Sequence, residues 1–101
     1  MPKLAKMKLE VTGTVIEWRG PAPFFFLPIS GDAAEQVREA ARLVSYGWGV
    51  VPVEVKIGSR SWQTSLMPKQ GNYLLPLKDE LRRAVGVELG GELTVMLSIS
   101  A

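Results

Sequence analysis

From Lys8 to Trp18 apolar and polar residues alternate with a period of two. Leu9, Val11, Gly13 and Val15 fall on one face, Lys8, Glu10, Thr12 and Thr14 on the other. That spacing predicts a half-buried strand, and a glycine in its middle predicts a bulge or a close backbone approach at Gly13. Arg19-Gly20-Pro21-Ala22-Pro23 predicts a turn, since two prolines and a glycine do not fit a central strand. Phe24 to Ile29 is apolar on both faces, so this strand is expected to be covered on both sides, with Pro28 ending it or holding it to an edge. Ser30-Gly31-Asp32 opens a helix, and Asp32 with Glu35 has capping-box spacing. Ala33, Val37, Ala40, Ala41 and Val44 form the apolar stripe of that helix, which is expected to stop at Tyr46-Gly47-Trp48-Gly49.

The rest of the chain continues the pattern. Val51, Val53, Val55 and Ile57 alternate with Pro52, Glu54 and Lys56, and Gly58-Ser59 is a hairpin signal. Trp62, Thr64 and Leu66 share a face of the following strand, Ser61 to Met67, which predicts that Trp62 is mostly buried. Pro68-Lys69-Gln70-Gly71 predicts a turn, Asn72 to Leu77 a strand, and Lys78 to Val85 a short helix ended by Gly86, with Leu81, Ala84 and Val85 inward. Gly90-Gly91 then turns into a final strand with Leu93, Val95, Leu97 and Ile99 on one face.

The order strand, strand, helix, strand occurs twice. Phe26-Leu27-Pro28-Ile29 and Leu74-Leu75-Pro76-Leu77 share apolar run, proline and apolar residue before a helix. Each helix leads through glycines to a strand of four alternating aliphatics, and each unit starts with a strand bearing a tryptophan, Trp18 or Trp62. One unit cannot bury its sheet face alone, whereas two related by a pseudo-twofold close a barrel of six or seven strands with a helix at each end. The chain is therefore expected to be mostly β with two helices, a single domain over residues 1–101 with its core at about residues 8–100. With both halves in one chain, a monomer suffices.

Composition narrows the chemistry. The 101 residues include no cysteine and no histidine. This argues against disulfides, thiolate metal sites and a cysteine nucleophile, and it removes the usual neutral-pH general base and the commonest metal ligand. The formal net charge is +2, and residues 1–50 and 51–101 each carry six Lys/Arg against five Asp/Glu, so neither half is a polybasic patch. No apolar run approaches a membrane span, and Met1 to Glu10 lacks a signal-peptide core, so a cytoplasmic location is expected.

Leu75-Pro76, Leu81-Arg82, Gly86 and Gly91-Glu92 resemble the AbrB/MazE swapped-hairpin motif, in which a strand ending in Leu-Pro precedes a short Leu-Arg helix and a Gly-Asp-type turn. Over Lys8 to Ile99 the chain resembles a family of small bacterial and archaeal proteins with a double-split β-barrel, often preceding a bacteriocin-protection (YdeI/OmpD-associated) domain. The resemblance rests on Gly20-Pro21-Ala22-Pro23, Gly47-Trp48-Gly49, Val51-Pro52-Val53, Trp62-Gln63-Thr64-Ser65-Leu66, Pro68-Lys69, Gly71, Tyr73 to Lys78 and Arg82-Arg83-Ala84. Glu92 stands where that family usually has aspartate. The resemblance implies a double-split barrel and no established activity.

Catalysis is not expected, since Asp79 and Glu80 are explained by the positive end of a helix dipole. Gly47-Trp48-Gly49 and Gly90-Gly91 precede strands, whereas phosphate loops need a helix after the glycines. No cofactor and no metal are expected. For nucleic acid, Trp18, Trp48, Trp62 and Tyr73 offer stacking surfaces, and Arg19, Arg60, Lys69, Arg82 and Arg83 offer phosphate contacts. Balanced charge makes the non-specific electrostatic attraction weak, so this is the alternative reading. The leading expectation is a non-enzymatic protein-interaction or ligand-sensing module with Trp48, flanked by glycines at a strand mouth, as the exposed-aromatic candidate.

Overall fold

The computed structural model describes residues 6–18, 24–44 and 50–100. Within them lie strands β1 (Lys6–Thr14), β2 (Ile16–Trp18) and β3 (Phe24–Ile29), helix α1 (Gly31–Val44), strands β4 (Val51–Ile57), β5 (Arg60–Lys69) and β6 (Asn72–Pro76), helix α2 (Asp79–Val85) and strand β7 (Glu92–Ser100). All strand pairings are antiparallel, in one curled sheet of order β1-β7-β4-β5-β6-β3-β2. No helix among the described residues is long and apolar enough to cross a membrane.

Two long strands hold the sheet together. β5 pairs with β4 from Arg60 to Leu66 and with β6 from Met67 to Lys69. β1 pairs with β7 and β2 with β3, and only Val15 separates β1 from β2. Val15 itself stays bonded: its N–H donates to the Gly91 carbonyl and its carbonyl accepts from the Gly90 N–H, both at 2.9 Å. The first and last strands of the sheet order are thus consecutive along the chain.

The alternation seen in the sequence builds the core. Leu9, Val11 and Val15, then Val51, Val53, Val55, Leu66, Leu75, Val95, Leu97 and Ile99 are all buried in one cluster with Leu27, Ile29 and Tyr73. α1 closes this cluster with Ala34, Val37 and Ala41, and packs against β1, β4 and β6. Gly13 marks a close approach rather than a bulge. It keeps register with Leu93, and a Cβ there would lie 3.1 Å from Leu27 Cδ1 and 3.3 Å from the Pro28 carbonyl, where β1 crosses β3.

Several expectations need correction. Pro68 and Lys69 are not turn residues: they pair with Tyr73 and Asn72, and the turn is Gln70-Gly71, both at positive φ (48° and 83°). Such φ values suit a two-residue hairpin whose twist matches the flanking strands. Trp62 is half-buried at the rim of the core, and Ala84 is exposed because α2 has room to bury only Leu81. The capping box does not form; Asp32 lies in the first turn of α1, and Glu35 pairs with Arg38 one turn on. Gly86 ends α2 in the left-handed conformation (φ 69°), as its position implies.

Candidate interaction face

Directly paired residues in a ladder, and alternate residues in a strand, share a face of the sheet. Ile16 pairs with Phe26 and Phe26 with Pro76; Trp18 pairs with Phe24; Pro28 pairs with Leu74 and Leu74 with Met67. All of these point away from the main core. Phe26 and Leu74 are nonetheless 6% and 8% exposed while standing outside the core cluster. What shields them is their own neighbourhood: the Trp18 and Phe24 rings lie 6.0 and 6.5 Å from the Phe26 ring, tilted by 56° and 45°. Those shielding residues are open to solvent, Phe24 at 62%, Trp18 at 51%, Met67 at 44% and Ile16 at 40%.

Lys69, at the end of β5, places its Nζ 4.1 Å from the centroid of the Trp18 ring. β5 and β2 are separated by β6 and β3 in the sheet, so this contact shows that the outer face here is concave. A cation over an indole face is attracted by the ring quadrupole. The arrangement offers an apolar, aromatic-rich hollow with one ammonium at its rim.

The cations singled out in the sequence do not converge. Arg60 is exposed at the hairpin end of β5 and Lys69 at the other end, nine residues away, roughly 30 Å along an extended strand. Arg82 is engaged: its guanidinium pairs with Asp79, its Nε–H donates to the Leu77 carbonyl at 3.2 Å, and it lies 4.2 Å over the Phe25 ring. It anchors α2 to β3 and has little left for a phosphate. Trp48 and Arg19 lie outside the described residues. Among the described residues no group of three or more His, Cys, Asp or Glu is placed to hold a metal ion.

Of the residues on this outer face, Trp18 and Lys69 are candidates from the sequence, and Phe24, Ile16 and Met67 are not. Phe24 belongs to a run apolar on both sides, but its outer side is open rather than covered as expected. The signal that marks the face is the two-sided apolar run of β3 set beside Trp18, Leu74 and Met67 at matching parity.

Residues 12–97 match the model of a family described as a domain of unknown function, DUF1905. No curated protein matches the chain.

Proposed function

We propose that this chain, which belongs to the DUF1905 family, is a non-enzymatic interaction module that docks a protein partner on the concave outer face of β2, β3 and β6. The observation that carries the reading is a change of chemistry along continuous strands. On β1 the outer residues are Lys8, Glu10, Thr12 and Thr14; on β2, past Val15, they are Ile16 and Trp18. On β5 they are Ser61, Gln63 and Ser65, then Met67. Exposed aromatic clusters rimmed by polar groups mark interaction sites on soluble domains. The non-enzymatic part rests on the lack of His and Cys and on Glu35 and Asp79 being held by Arg38 and Arg82.

The same reading takes the curled sheet as a double-split barrel of two strand–strand–helix–strand halves, each long strand shared between two ladders. The adjacency of β1 and β2 around Val15 supports it. With both halves in one chain, the module is a monomer until its partner binds.

A second reading is single-stranded nucleic acid stacked on Trp18 and Phe24, favoured by Lys69 beside the indole. It is the weaker one, because Lys69 is the only cation among the described residues of this face, and affinity for phosphates scales with the charges engaged.

A photo-cross-linking residue placed at position 24 in the living cell tests the reading, with position 94 on the polar outer face as the control. The expected result is a discrete protein adduct from position 24 and none from 94. Adducts to nucleic acid from position 24 would install the second reading, and equal adducts from both positions would overturn both.

A further inference from the structure

The hairpin β4–β5 turns through Gly58-Ser59, and Ile57 and Arg60 close it. In a two-residue hairpin the closing pair exchanges both backbone hydrogen bonds, and such pairs recur at every second residue. Arg60, Trp62, Thr64 and Leu66 therefore bond to β4, and the N–H and C=O groups of Ser61, Gln63 and Ser65 point to the opposite edge. On that edge β6 pairs only as far as Met67↔Leu74. The next hydrogen-bonded position of the register would set Ser65 against Pro76, which has no N–H to donate. The chain then leaves the ladder: the Leu77 N–H donates to the Phe25 carbonyl, and α2 begins at Asp79. No backbone partner of Ser61 or Gln63 occurs on this side among the described residues, and the Ser65 carbonyl faces a proline nitrogen.

This bare edge is not flat on the surface. It forms one wall of a cleft of about 310 Å³, lined by Ser61, Trp62, Gln63 and Thr64 on β5 and faced by Pro76, Lys78, Glu80 and Leu81. Half-buried Trp62 forms part of that wall. Exposed edges are ordinarily blunted by lysine, proline or a bulge. Between Ser61 and Ser65 this one has none of these and keeps regular register with β4.

We infer that the cleft between β5 and α2 binds an extended peptide segment, which adds as a strand beside Ser61 and Gln63. The unpaired donors and acceptors fix the occupant as a chain in β conformation. The recess suits a single chain, since Lys78, Glu80 and Leu81 wall the cleft opposite β5 and its volume is about 310 Å³. Main-chain bonds supply affinity in this mode and alternate side chains supply selectivity. The residues that turn inward meet Trp62 and Leu81, so an apolar residue at alternate positions is preferred. The site shares only Pro76 with the apolar outer face and stands whether or not that face docks a protein.

The experiment has two stages. In the free protein, amide hydrogen exchange along β5 should alternate, with Ser61 and Gln63 fast and Trp62 and Thr64 slow. Uniform protection would mean the edge is already paired and would overturn the inference. A phage-displayed library of short linear peptides is then panned on the protein, and the selected peptides are synthesised with and without backbone N-methyl groups. The expected result is amide shifts centred on Ser61–Ser65, with roughly tenfold weaker binding for the N-methylated forms and for the Gln63→Pro protein. Proline at an outward edge position leaves the β4 ladder intact, and exchange at Trp62 and Thr64 checks this. The inference is overturned if no peptide is selected, if N-methylation changes nothing, or if the shifts fall on Ile16, Trp18 and Phe24. That last outcome leaves the proposed docking face standing.

Discussion

The outer surfaces on either side of Val15 and Leu66 share backbone geometry and differ in chemistry. Over β1, β7 and β4 the outward positions are Glu10, Thr12, Thr94, Met96, Glu54 and Lys56, with the Thr12 and Thr94 hydroxyls bonded across the ladder at 2.8 Å. Over β2, β3 and β6 they are Ile16, Trp18, Phe24, Phe26, Leu74 and Pro76. The inward side shows no such break: Leu9, Val11 and Val15 continue into Leu27, Ile29 and Leu75 in a single cluster. The core thus accounts for the inward apolar residues of both regions and for none of the outward apolar ones. A fold is indifferent to outward chemistry so long as it is soluble, and exposed aromatics work against solubility. Their concentration on one region is a feature the fold does not require, which makes it informative about function.

The strongest way to break the contrast is to show that the inner faces are not one core. Leu97, under the polar region, and Leu75, under the aromatic one, are both fully buried. Leu97→Ala and Leu75→Ala should each cost about 2–5 kcal/mol in urea denaturation, with one transition in each case. A loss near zero for Leu75→Ala alone would mean that the aromatic region folds on its own terms.

Phe26 sharpens the outer side. It is buried without belonging to the main core, and its ring rests on Trp18 and Phe24. Phe26→Ala should cost about 2 kcal/mol, below the range for core phenylalanines, because two of its covering side chains are themselves exposed. A full core-sized loss would show the outer cluster to be a second core rather than a surface.

Gly13 tests the crossing that separates the two regions. An alanine methyl there would press on Leu27 and the Pro28 carbonyl at 3.1 and 3.3 Å. Gly13→Ala is expected to lower stability by about 1–2 kcal/mol through overpacking. No loss in thermal or chemical melts would mean that β1 and β3 stand further apart in solution.

The inner face was legible in the sequence because period-two alternation of valines and leucines needs no tertiary knowledge. Gly13, Gly58 and Gly86 were legible for a related reason, each being required by backbone geometry at its place. Pro68 misled. Its missing N–H costs nothing, since it sits at a non-hydrogen-bonded position opposite Tyr73 and beyond the start of β4 at Val51. The outer face was half legible: the run Phe24 to Ile29 announced two apolar sides, but which neighbours stand beside it depends on register between distant strands. The unpaired edge of β5 was not legible, because it exists only through the failure of β6 to continue past Pro76. Arg82 could have been discounted from its spacing to Asp79 alone.

The smallest effect tests whether the outer hollow is concave in solution. Lys69 and Trp18 belong to strands with two others between them, and they meet only if the sheet curls enough to bring Nζ within 4.1 Å of the ring. Both side chains are exposed, so the interaction is screened, and a cation–π contact in that setting contributes about 0.5 kcal/mol. Single-variant losses mix this with changes in the unfolded chain. A double-mutant cycle of Lys69→Met and Trp18→Leu isolates the coupling. The expected coupling is about 0.5 kcal/mol, favourable and only mildly weakened by salt. Zero coupling, with both single variants still folded, would mean that the two strand ends stand apart. The aromatic region would then be a flat patch, suited to a flat partner surface, and the polar and apolar outer faces would differ in chemistry without differing in shape.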